Sequence, residues 1–199
     1  MARFKSGNKG SGDLHAWYDA SRGLRSFIGQ ADNPTNMGGF FFTAAGTLTA
    51  APMLLGAPQK IEDIAVSLSA LEAGKNMRVG IYRNKGVNNL YPGALVIDLG
   101  LIDLNLGIGD SPCPAQVPPV SLAAGLYWIG AVDDGVLGSS MLCWSSDQSL
   151  KLLPPPNVGG SCLHGISIVQ AFGALPDPFP AGGTDVSSDL VPGYGVKFV

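Results

Sequence analysis

The chain has 199 residues, 46% of them hydrophobic, which suits one domain of moderate size with a closed core. Only 14% are charged, against roughly 25% in an ordinary soluble domain, and the net charge is −3. That excludes nucleic acid as the main partner, because phosphate binding needs a basic surface.

Residues 1–36 are polar, with scattered aromatics, and form the one basic stretch. Arg3, Lys5, Lys9, Arg22 and Arg25 there outnumber Asp13, Asp19 and Asp32. The opening MARFKSGNKGSG has no apolar core of a secretory signal, so folding in a reducing cytosol is expected. The segment DLHAWYDASRGLRSFIG predicts a short helix capped by Asp13 and ending near Gly23. Such a helix is too short to stand alone. Residues 1–36 are therefore expected to be a mostly irregular arm held by a partner protein. Phe4, Trp17, Tyr18, Arg22, Arg25 and Phe27 are its candidate contacts.

A β domain over 37–199 follows. Residues 33–59 carry no charge, but Thr, Gly and Pro52 interrupt the apolar run, so two core strands joined at Gly46 fit better than a membrane span. In KIEDIAVSLSAL, Ile64, Val66, Leu68 and Ala70 recur with period two, which predicts a strand with one face inward. Met77, Val79 and Ile81 repeat the pattern after a turn at 73–76. Residues 84–89 read as a loop, and Tyr91-Pro92-Gly93 as a turn. Strands 94–99 and 101–106 are split by Gly100, and a Gly/Pro-rich connection runs from 107 to 119. In GLYWIGAV, Tyr127 and Trp128 must point to opposite faces, so one is expected in the core and the other outside it. Short strands are also expected at 141–144, 150–153 and 166–172, then an extended tail ending in a strand over 194–198. Many short strands, Gly 28 and Pro 15, and no long helix predict an all-β sandwich or barrel.

Motifs for chemistry are fragmentary. Ala73-Gly74-Lys75 lacks the first glycine and the Ser/Thr of a P-loop, and Leu163 stands where a nucleophile elbow needs its second glycine. His15, Asp19 and Ser21 lie on a polar arm that excludes no water, and His164 beside Cys162 reads as an ordinary histidine. Cys113, Cys143 and Cys162 are odd in number and lack zinc spacing, so free thiols are expected and no metal site. Glu62-Asp63 alternate across a strand, and Asp133-Asp134 supply too few oxygens for calcium. No catalytic residue and no cofactor is expected.

Three segments carry a resemblance. RVGIYRN…YPGALVIDLG, then LAAGLYWIGAV, then GALPDPFP resemble a β-sandwich module of tailed-bacteriophage structural proteins. The matching positions are Arg78, Gly80, Ile81, Tyr82, Pro92, Gly93 and Gly100; Gly125, Tyr127 and Trp128; and Ala174, Leu175, Pro176, Phe179 and Pro180. PMLLGAPQKIEDIAVSLS looks like the opening strands of the same module, so the likeness spans roughly residues 40–182. It implies a jelly-roll-like sandwich on a virion surface, assembled in the host cytoplasm. It also implies no catalytic residues, other virion proteins as partners and a homo-oligomer, by analogy a trimer.

Three functions compete. One is a fibre-type or tail-tip module touching the host surface or glycan, with Tyr91 and Trp144 as candidate glycan contacts. Another is a head decoration protein bound to the capsid through its arm. The last is a glycan-cleaving enzyme, which needs a concave carboxylate pair about 5–10 Å apart.

Overall fold

The computed structural model describes residues 16–19, 23–27, 39–42, 46–68, 71–86, 89–106, 109–135, 140–144, 165–186, 191–192 and 194–199. These residues form an all-β protein of two antiparallel sheets. In chain order the strands are β1 (Ala16–Asp19), β2 (Gly23–Phe27), β3 (Gly39–Phe42), β4 (Thr47–Leu55), β5 (Gln59–Leu68) and β6 (Asn76–Gly86). Then come β7 (Asn89–Asp103), β8 (Gly109–Pro112), β9 (Val120–Leu122), β10 (Gly125–Asp133) and β11 (Ser140–Trp144). The last are β12 (Gly165–Val169), β13 (Thr184–Val186), β14 (Val191–Pro192) and β15 (Tyr194–Phe198).

One sheet runs β1-β2-β15-β5-β11-β14, with β3 against β11. The second edge of β5 is tiled by the chain from 109 to 122. β8 and β9 pair at its two ends, and between them the amides of Cys113 and Gln116 bond the carbonyls of Ile64 and Glu62. The other sheet runs β13-β12-β4-β10-β6-β7.

Period-two alternation builds the main core. Ala51, Met53 and Leu55 of β4, Met77, Val79 and Ile81 of β6, and Tyr127, Ile129 and Ala131 of β10 face the other sheet. There they meet Ile61, Ile64, Val66 and Leu68 of β5 and Tyr194 and Val196 of β15. The step from Ile61 to Ile64 breaks the alternation, and the β5–β15 register shifts there. A bulge of this kind adds one residue and restores the facing.

Three expectations change. The helix expected in the arm is replaced by the antiparallel pair β1–β2, and β2 joins β15, so these residues share a sheet with the body. Trp17, Tyr18 and Phe27 are strand-favouring aromatics, and ladder bonds to β15 supply what an isolated short helix lacks. Gly100 bends β7 without ending it: its φ of +96° suits glycine alone, and Leu99 is bulged out of the β6 register. Tyr91-Pro92-Gly93 lies inside the same strand, where the register with β6 shifts again near Pro92. The strand expected at 150–153 lies outside the described residues.

Candidate functional site

The central strands of the second sheet, β4, β10 and β6, are largely buried on both faces. Tyr127 enters the main core, whereas Trp128 turns outward and is still 0% exposed. Tyr127 and Trp128 are therefore both core, which corrects the expectation that one lies outside. The reason is a cover. Residues 170–183 cross the outer face, so Leu175 and Phe179 pack with Leu48, Ala50, Tyr82, Trp128, Val132 and Ile166 in a second apolar cluster. Burying an indole of about 150–250 Å² is worth about 4–6 kcal/mol at roughly 25 cal/mol per Å².

Two glycines make room for this cluster. Gly80 and Gly130 are cross-strand partners on β6 and β10. A Cβ on Gly130 would lie 2.6 Å from Cε2 of Tyr82, and one on Gly80 would lie 2.4 Å from Cδ1 of Leu175. The Tyr82 ring and the Leu175 side chain thus occupy the space that two missing side chains leave.

Polar contacts fix the cover. The amide of Phe179 donates to the carbonyl of Gly93 (2.9 Å), and the amide of Leu95 donates to Oδ1 of Asp177 (2.9 Å). Both contacts fall on β7, the edge of the sheet, so the cover also occupies a row of backbone groups that would otherwise invite another strand. The Tyr91 hydroxyl donates to the carbonyl of Pro180 (2.7 Å) and accepts from the amide of Gly183 (2.9 Å). The Phe179 ring sits edge-on between Tyr82 and Tyr91, at 5.2 and 5.8 Å. Nε1 of Trp128 donates to Oδ1 of Asn84 (2.9 Å). Burial, then Asp98 and Asp177, push the Tyr82 phenol upward, so it stays neutral.

Of the candidate glycan contacts, Tyr91 is half-buried in this network, with Nζ of Lys85 5.9 Å from its ring centre. Trp144 ends β11, and its side chain lies outside the described residues. Trp17 and Tyr18 fall in β1, and Arg25 and Phe27 in β2; Phe4 and Arg22 lie outside the described residues.

Residues with reactive potential are dispersed. Gly74 makes a strand-to-strand turn with φ +72°, not the strand-to-helix turn of a phosphate loop. Glu62 pairs with Lys197 (2.9 Å). Cys113 is buried, and its Sγ accepts from the amide of Ile64 (3.3 Å). Cys143 ends a strand pairing on β11, and the side chains of Cys143, Cys162 and His164 lie outside the described residues. Among the described residues no group of three His, Cys, Asp or Glu side chains could hold a metal ion. No helix among them is long and apolar enough to cross a membrane.

An open groove of about 560 Å³ lies beside the start of β5, lined by Pro58, Gln59, Lys60, Pro119, Ser121, Leu122 and Val199. Among the described residues no side-chain carboxylate lines it. Sequence reasoning missed the cover itself. ALPDPFP was legible as an extended segment, but nothing in its pattern told which surface it would seal. No family model matches the chain, and no curated protein matches it.

Proposed function

We propose that this chain is a non-enzymatic structural module of a tailed-phage virion. It is surface-exposed, of fibre or tail-tip type, and contacts the host surface or its glycans. One observation carries the reading: the three segments of the phage-module resemblance, far apart in sequence, meet in a single packing unit. Gly80 and Tyr82 from the first, Trp128 from the second, and Leu175 and Phe179 from the third all join the outer-face cluster. Positions shared with such a module act here as packing and turn positions, which fits a scaffold that presents its exterior. A jelly-roll-like strand order and assembly as a homo-oligomer, by analogy a trimer, belong to the same reading.

A head decoration role is the second reading, favoured by the placement of β1. That strand ends the β1-β2-β15-β5-β11-β14 path, and among the described residues no strand pairs with its outer backbone edge, where a capsid strand would add.

The experiment is deletion of the gene from the phage, followed by add-back of the purified full-length chain. The host-contact reading predicts intact particles that adsorb poorly and regain adsorption on add-back. The decoration reading predicts normal adsorption and heads that burst at lower temperature. Particles unchanged in both respects, or turnover of a glycan by the purified chain, would count against the proposal.

A further inference from the structure

Asp133 stands at the end of β10, one step beyond Ala131 in the period-two series Tyr127, Ile129, Ala131 that faces the main core. Its side chain is therefore directed between the sheets, and it is 0% exposed. Among the described residues neither carboxylate oxygen has a hydrogen-bond partner, and the hydroxyl of Thr49, on the same face of β4, has none either. The backbone around it ties four strands together. The Asp133 carbonyl accepts from Gly46 at the head of β4 (3.4 Å), whose own carbonyl accepts from Gln170 just after β12 (2.7 Å). Asp134 clasps the head of β6: its amide donates to the Asn76 carbonyl (3.2 Å), and the Asn76 amide donates to its Oδ1 (2.7 Å).

The charged neighbours make ionisation worse. Glu72, on the β5–β6 connection, and Asp134 both disfavour a negative charge at Asp133. The Gly135 amide favours one, without reaching hydrogen-bond geometry to either oxygen. Lys75 precedes β6 and forms no ion pair with Asp133 among the described residues; Asp103, at the end of β7, pairs in register with Asn76 and is itself a carboxylate. The ends of β4 and β12 here bring only Thr47, Val169 and Gln170, none of them charged. A buried carboxylate without a cation or donor is held neutral or forces its surroundings open.

We propose that Asp133 is a proton-dependent latch: its neutral carboxyl lets the ends of β4, β6, β10 and β12 close, and loss of its proton to solvent loosens that end of the sheet. Burial, the largest cause, with Glu72 and Asp134 behind it, pushes the carboxyl up to about 7. The closed form therefore binds the proton more tightly than an opened form with an ordinary aspartate. Closure is strongest below the ordinary aspartate range, weakens as pH rises toward 7, and levels off above it.

Hydrogen exchange of the full chain between pH 4.5 and 8.5, corrected for intrinsic rates, tests this. The amides of Gly46, Asn76, Asp134 and Gln170 are expected to lose protection about tenfold per pH unit up to about 7 and then level off. The Asp133→Asn variant is expected to flatten the profile. Flat profiles in the native chain, the same slope in the variant, or protection at these four amides as high as at mid-strand Ile129 would overturn the latch. Should the variant fail to fold, a carbon-13 titration of the Asp133 carboxyl in the native chain decides. A midpoint near 7 with matching protection loss supports the latch; a midpoint in the ordinary carboxylate range overturns it.

Discussion

Replacing Phe179 with alanine tests whether residues 170–183 are a true core element. The ring is 4% exposed and wedged between Tyr82 and Tyr91. Truncating a buried phenylalanine typically costs about 3–5 kcal/mol, from lost transfer energy and the cavity left behind. The cover is tied down by few bonds, chiefly Phe179 to Gly93, Asp177 to Leu95 and the two on Tyr91. It can lift away and leave no cavity, which places the expected loss near the lower end, about 3 kcal/mol. Urea denaturation at fixed pH reads that loss as a lower midpoint. Hydrogen exchange is expected to show the Leu95 and Gly183 amides losing protection more than tenfold and falling below Ile81 and Ile129, which lose only what the global stability loses. A loss below about 1 kcal/mol with Leu95 still protected would refute the reasoning, because a peripheral loop gives that result.

Gly130→Ala is expected to cost about 1–3 kcal/mol by forcing a Cβ against the Tyr82 ring; thermal melts should show that the cost shrinks in a Tyr82→Leu background. Cys113→Ala leaves the buried amide of Ile64 without its acceptor and should lose about 1–3 kcal/mol in urea. A thiol reagent should leave native Cys113 unmodified and label it once the chain unfolds. Lys197→Ala removes a half-exposed ion pair with Glu62 and should change stability by less than about 1 kcal/mol, and by less still in high salt. Asp133 should make the chain more stable in acid: its raised carboxyl contributes a fall of about 4 kcal/mol between pH 4 and 8, read from urea midpoints and missing in Asp133→Asn.

The sheet architecture was legible wherever one face is apolar and the other polar. Met77, Val79 and Ile81, and Ile64, Val66 and Leu68, face the main core as their spacing requires. Gly46 turns the chain between β3 and β4, and β15 occupies Tyr194–Phe198, both as expected. Legibility failed where a second layer changes what a face means. Trp128 and Tyr82 occupy the face that alternation assigns to solvent, and they are buried only because a segment some 45 to 100 positions away folds over them. Gly80 and Gly130 read as strand weaknesses in isolation and become intelligible only beside the rings and side chains that fill their space. The arm misled for a related reason. Local propensity in DLHAWYDASRG left helix and strand nearly balanced, and pairing with distant β15 decides between them. Asp133 carried no sign of burial, since Asp-Asp-Gly looks like any solvated turn.

Whether this chain is, as proposed, a phage virion component that works through its exterior is tested most directly by locating it on purified phage particles. Cryo-electron microscopy of native particles and of particles lacking the gene should show a difference density of two stacked sheets on the outer surface of the tail or head. Absence of the chain from purified particles, or density confined to the interior of the head, would contradict the account.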